Sequence, residues 1–205
     1  MFDWDLRSIL LPLPWIILGL AFHEYCHAWM SNRLGDPLPE RQGRLTLNPL
    51  KHIDPIGFLA IIIFRFGWAK PVEINPRFYK NPLRDTVWVS LAGPMGNFIL
   101  ALLFILIVRF MPLLNLSDQL INYMGIGLFY SLMLGVFNLL PVPPLDGSKI
   151  LRYFLRGSVG YQFDKFEPYG FFVLILLLII PGFQQLLFEG IYFLSVLFAG
   201  RMIYF

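Results

Sequence analysis

The sequence predicts an all-α polytopic membrane protein, with about five transmembrane helices and a re-entrant loop whose short β-strands pack over a metal site. Three observations lead there. Of the 205 residues, 57% are hydrophobic and only 14% charged, with a mean hydropathy of +0.65, whereas soluble domains carry about 25% charge. Apolar runs recur along the whole chain, several of them near the roughly 20 residues that a helix needs to cross a bilayer. The first run ends in His23-Glu24-Tyr25-Cys26-His27. Each ionisable group at mid-membrane costs about 2.5–3.5 kcal/mol on insertion scales, so three within five residues demand a chemical reason.

The runs cover 9–30, 56–66, 86–110, 122–141, 169–181 and 185–205. They divide a single domain, 1–205, into a metal helix (9–33), a re-entrant β-loop region (39–84), a span (86–110), a broken span (122–156) and a C-terminal helical hairpin (169–205). The run at 56–66 is too short to cross, and charge decides its path. Fourteen of the sixteen Lys and Arg lie between the first and third runs, between the fourth and fifth, or near the end. Such residues gather in cytoplasmic loops. A crossing at 56–66 would send Lys70 to Arg84 to the side opposite Arg33 to Lys51, so the run dips in and returns.

The expected topology is a multi-pass cell-membrane protein with its N-terminus outside and its C-terminus cytoplasmic. The leader, with Asp3 and Asp5 against Arg7, lacks the positive region of a removable signal peptide, so the first helix is expected to be retained. No basic run points to nucleic acid. A single cysteine excludes an internal disulfide framework.

Within the loop region, residues 43–49 and 70–76 alternate apolar and polar positions and both end in Asn-Pro. That pattern reads as short strands closed by turns, whose edge could take up an unwound substrate by strand addition. The third run opens Leu91-Ala92-Gly93-Pro94-Met95-Gly96-Asn97. Its small residues read as helix packing, with Asn97 available to restore a hydrogen bond lost at Pro94.

Histidines four apart share a helical face, so His23 and His27 can both offer a ring nitrogen to one Zn²⁺, with Glu24 beside them to take a proton from an attacking water. A catalytic zinc needs a third protein ligand. The extended astacin-type pattern is absent, because Met30 and Arg33 stand where it has Gly and His. Glu40 and Glu73 fall in the surface loop, and His52, the remaining histidine, reads as a loop residue bonded to backbone. Cys26, three residues after His23, reads as filler.

The fourth run ends Asn138-Leu139-Leu140-Pro141-Val142-Pro143-Pro144-Leu145-Asp146-Gly147. Its prolines cannot continue a regular helix, and broken helices in membranes frame sites. Asp146 is the only carboxylate between Asp118 and Asp164. It is the expected third ligand, arriving at a depth similar to that of His23. Asn138, about two turns earlier, could donate its amide to a developing oxyanion.

Taken together, His23-Glu24-x-x-His27, Leu47-Asn48-Pro49 with His52-x-Asp54-Pro55-x-Gly57, Gly67-Trp68-Ala69-Lys70-Pro71, Ala92-Gly93-Pro94 with Asn97, and Asn138-x-x-Pro141 through Pro144-Leu145-Asp146-Gly147 resemble the site-2 protease family of intramembrane zinc metalloproteases, in its compact prokaryotic form without PDZ or CBS domains. The resemblance implies one Zn²⁺ per chain at His23, His27 and Asp146, Glu24 as general base and Asn138 near the substrate. It also implies cleavage of transmembrane segments of other membrane proteins close to the cytoplasmic face. A metal-ion transporter or sensor could use the same cluster, though the sequence shows no inverted repeat. An inactive scaffold is opposed by the presence of each residue the chemistry requires.

Overall fold

A computed structural model describes residues 6–64, 67–110 and 117–200. Two of the basic residues used for topology, Arg65 and Arg201, and the far ends of the runs at 56–66 and 185–205 lie outside them. The described residues form helices α1 (Leu6–Leu10), α2 (Leu13–Arg33), α3 (Leu38–Arg41), α4 (Pro55–Phe64), α5 (Pro82–Phe110), α6 (Asp118–Asn138), α7 (Asp146–Phe154), α8 (Gly157–Phe166), α9 (Gly170–Ile179) and α10 (Pro181–Ala199).

The expected strands do not form among the described residues. The only β pairing there is an isolated antiparallel bridge between Ile53 and Ala69. Each Asn-Pro instead opens a 3₁₀ turn, because Asn48 accepts from the Leu50 N–H and Asn75 from the Arg77 N–H, while the following proline lacks the amide that a turn leaves unused. Before the first turn the chain bends at Leu45 and Thr46, and only 71–75 runs without a bend, lacking a partner strand among the described residues. The bridge, with the Lys70 N–H donating to the His52 carbonyl at 2.8 Å, joins the two ends of the excursion that carries α4. The chain therefore leaves and re-enters at one point. α4 is apolar all round, turning Ile56, Leu59 and Ile63 outward and burying Ala60 and Ile61.

Among the described residues three helices, α5, α6 and α10, are long and apolar enough to cross a membrane; the sequence reading expected five spans. α2 has 21 residues, about 32 Å at 1.5 Å per residue, but the metal motif lowers its apolarity. α9 has ten residues, about 15 Å of helix, half the roughly 30 Å hydrocarbon core.

α5 packs along both α2 and α6 and also meets α7. Ala101, Phe104 and Val108 of α5, Ile121, Leu128, Phe129 and Leu132 of α6, and Ile191 and Ala199 of α10 form the buried apolar core. Close approach depends on missing side chains: a Cβ on Gly127 would lie 2.8 Å from the Phe104 ring, and one on Gly135 2.7 Å from the Phe98 ring. In lipid, where apolar burial supplies little driving force, this contact holds helices together.

Candidate metal centre

α2 carries His23 and His27 one turn apart, both buried. The third group arrives from α7. After α6 ends at Asn138, the proline-rich segment turns the chain back, and Asp146 is the first residue of α7. The fold-back is close: a Cβ on Gly147 would stand 2.1 Å from the Leu139 carbonyl oxygen, so only glycine fits after Asp146.

Nε2 of His23, Nε2 of His27 and Oδ2 of Asp146 converge, with separations of 2.9 Å between the two nitrogens, 3.1 Å from His23 to Asp146 and 3.0 Å from His27 to Asp146. The His27 Nδ1–H donates to the Val89 carbonyl at 2.7 Å. In the neutral ring that leaves Nε2 as a bare lone pair facing a carboxylate oxygen, an arrangement that a cation relieves. Donors about 3 Å apart can share one zinc ion roughly 2.0–2.2 Å from each. Room for the ion is kept by Gly93 of α5, where a Cβ would lie 2.4 Å from His27 Nε2 and 2.6 Å from His23 Nε2. These three residues form the one cluster of potential metal-binding side chains among the described residues, and the donor set fits zinc. The Lys149 ammonium, 3.6 Å from Asp146 Oδ1, faces the carboxylate's other oxygen.

Glu24 does not join the cluster; its Oε2 accepts from the Val72 N–H at 2.9 Å. The extended segment 71–75 therefore crosses beside the motif as a strap, held at both ends. At one end the buried guanidinium of Arg44 donates to the carbonyls of Lys51 and Lys70. At the other, fully buried Asp36 accepts from the Asn75 N–H at 2.7 Å, from Ser31 Oγ at 3.0 Å and from the Leu38 N–H at 3.0 Å.

The other expected groups fall as follows. Asn138 is half-buried and gives its amide nitrogen to the Leu134 carbonyl, one turn back in its own helix, at 3.0 Å. His52 is buried and bonded through Nε2 to the Thr46 carbonyl at 2.7 Å, and burial pushes its imidazole below the ordinary value. Glu40 and Glu73 accept from Asn32 and Gln42 at the surface. Cys26 packs where a Cβ on Gly96 would come within 2.5 Å of its Sγ.

The stretch 91–97, read as helix packing, does pack, with Gly96 against Cys26, and it also meets the cluster. Gly93 borders the Nε2 atoms of His23 and His27, and the Asn97 amide nitrogen lies 3.2 Å from His23 Nδ1 rather than on a carbonyl freed by Pro94. Pro94, inside α5, removes the donor to the Ser90 carbonyl and opens the preceding turn. In that turn, Val89 offers its carbonyl to His27. The signal was a Gly-Pro pair in mid-span with a polar residue three positions on.

Two imidazoles and a carboxylate in a bundle of apolar helices, with a carboxylate one residue from the first imidazole, define the class of membrane-embedded zinc metallohydrolase. The profile of peptidase family M50 matches residues 113–181. YwhC of Bacillus subtilis is 40% identical over 172 residues, 81% of this chain and 78% of the relative. Rip2 of Mycolicibacterium smegmatis is 33% identical over 190 residues, covering 90% and 72%, and MJ0611 of Methanocaldococcus jannaschii is 30% identical over 160 residues, covering 75% and 76%. All three are assigned by name as zinc metalloproteases. No solved structure matches the chain. The chain belongs to peptidase family M50, the site-2 protease family. It is a multi-pass membrane zinc metalloprotease.

Proposed function

We propose that the protein is an intramembrane endopeptidase that hydrolyses peptide bonds in or near transmembrane segments of other membrane proteins, close to the cytoplasmic face. The observation that carries this reading is the convergence of His23, His27 and Asp146 on one point among apolar helices. His23, His27 and Asp146 hold one zinc ion. At that position the ion would supply Lewis-acid polarisation of the scissile carbonyl and a lowered pKa for water. Glu24 takes the proton from the attacking water and delivers it to the leaving amine. The Val72 N–H holds one oxygen of Glu24 and leaves the other for that transfer.

A helical substrate hides its carbonyls in its own hydrogen bonds and must unwind before attack. The extended strap 71–75 runs beside Glu24, where such a segment could lie along it by strand addition. Asn138 acts near the substrate after giving up its bond to Leu134. The basic residues of the 33–84 region support an orientation with that side cytoplasmic, the N-terminus outside and the C-terminus inside.

The test is Glu24→Gln in the full chain, co-expressed with membrane proteins and read by a membrane proteome. Zinc content should match wild type while shortened transmembrane fragments disappear. Fragments that persist in Glu24→Gln would reject Glu24 as the base, and zinc flux into proteoliposomes without proteolysis would favour transport.

A further inference from the structure

Val89, Gly93 and Asn97 lie four residues apart and so on one face of α5, the face turned to the two histidines of α2. The middle member leaves a gap beside the ligand nitrogens. The outer two each meet one imidazole on its far side: the Val89 carbonyl accepts from His27 Nδ1–H at 2.7 Å, and the Asn97 amide lies 3.2 Å from His23 Nδ1. Asn97 is fully buried, and its Oδ1 has no hydrogen-bond partner among the described residues.

Chemistry decides which end of the amide belongs on the ring. With the NH₂ group toward His23 Nδ1, that nitrogen is an acceptor and the ring's proton sits on Nε2, where it reaches Asp146 Oδ2 at 3.1 Å. This state holds a proton at the centre of the site. Half a turn of the amide brings Oδ1 to Nδ1, which then carries the proton, and Nε2 becomes a lone pair pointing where His27 and Asp146 point theirs. The two ends of an amide are close in size, so the same position of the group can present either one to the ring.

We propose that Asn97 is a positioning residue for the zinc ion: its carbonyl accepts from His23 Nδ1–H and so fixes the tautomer and orientation in which Nε2 binds metal. Val89 does the same for His27 with a backbone carbonyl, so one face of α5 sets both rings. The proposal rests on the reading of His23 as a zinc ligand, and lost outer-shell partners of this kind weaken metal binding by about 10–100-fold.

The full chain, purified in detergent, is titrated with zinc against a chelator, and with cobalt(II) for its ligand-field spectrum, as wild type, H23A, N97D and N97L. H23A should abolish binding. N97D, which keeps an acceptor toward Nδ1, should stay within a few-fold of wild type, and N97L should weaken zinc by about 10–100-fold and alter the cobalt spectrum. Wild-type affinity in H23A removes the zinc-site reading itself. Binding lost in H23A but unchanged in N97L, or N97D as weak as N97L, overturns the role of Asn97 alone. Should the variants fail to fold, zinc-loaded wild type labelled with ¹⁵N in histidine and asparagine decides: the His23 Nδ1 proton must exchange slowly with water and show a contact to the Asn97 side chain, and an unprotonated Nδ1, or a proton without that contact, overturns the proposal.

Discussion

The backbone N–H of Val72 donates to Oε2 of Glu24 across 2.9 Å, although the two residues are 48 positions apart. The bond couples the strap 71–75 to the residue beside His23. A hydrogen bond to a charged group contributes about 1.5–3 kcal/mol, which corresponds to roughly a 10–100-fold change in rate if it is used in the transition state. Val72→Pro removes the donor and suits an extended segment. Cleavage should fall by about that factor with zinc content unchanged, measured as turnover beside metal analysis; unchanged turnover would show that Glu24 needs no such support.

Gly93→Ala separates helix stability from metal binding. Alanine in a helix interior is favoured over glycine by about 1 kcal/mol, yet its Cβ would stand 2.4 Å from His27 Nε2. Zinc affinity should drop by more than the about 100-fold seen when an outer-shell partner is lost, while the metal-free protein keeps its helical circular dichroism. Chelator competition reads the first and spectroscopy the second.

Asp36 should act on the strap from a distance. Its carboxylate joins the end of α2, through Ser31, to Asn75 at the strap's far end. Asp36→Ala strands buried donors at about 1–3 kcal/mol for each one left unpaired. A loss of about 3 kcal/mol in unfolding free energy is expected, with cleavage reduced further than zinc binding. Equal loss of both would mean that the network supports the whole bundle rather than the strap.

His52 gives the loop an acid limit. Burial holds its imidazole below the ordinary value, against a raising influence from its bond to the Thr46 carbonyl. The folded protein therefore keeps His52 neutral at a pH where the unfolded chain, with a pKa of about 6.5, takes up a proton. The stability this contributes is present above about pH 6.5 and is lost as pH falls from there through the lower folded value. In metal-free protein, His52→Gln should narrow the gap in melting temperature between pH 7.5 and pH 5; an unchanged gap would exclude His52 as the source.

The helical membrane architecture was legible because it is written in local composition and periodicity. α5 and α6 fall where the long apolar runs lie, and the Pro-rich stretch after Asn138 ends its helix as proline chemistry requires. Where the reading failed, non-local pairing was at stake. Residues 43–49 and 70–76 have the alternation of strands, but a strand exists only if another backbone completes its hydrogen bonds; here His52 takes the Thr46 carbonyl, and Arg44, Glu24 and Asp36 take the Lys70 carbonyl, the Val72 N–H and the Asn75 N–H. The run at 169–181, thin for a span already in the sequence, folds as α9, whose ten residues end at the Pro181 boundary.

The sequence by itself determined that two imidazoles share one helical face with a carboxylate beside them, because a spacing of four on a helix fixes side-chain direction regardless of the rest of the chain. It also singled out Asp146, since a lone carboxylate after a broken helix has few other reasons to be there. Only the tertiary structure decided that Gly93 leaves space at the Nε2 atoms of His23 and His27, that Val89 and Asn97 bracket the rings, and that Val72 holds Glu24. Those contacts join α5 and the loop to α2 across more than forty residues, and no local periodicity encodes which backbone carbonyl or amide will meet a ring that far away.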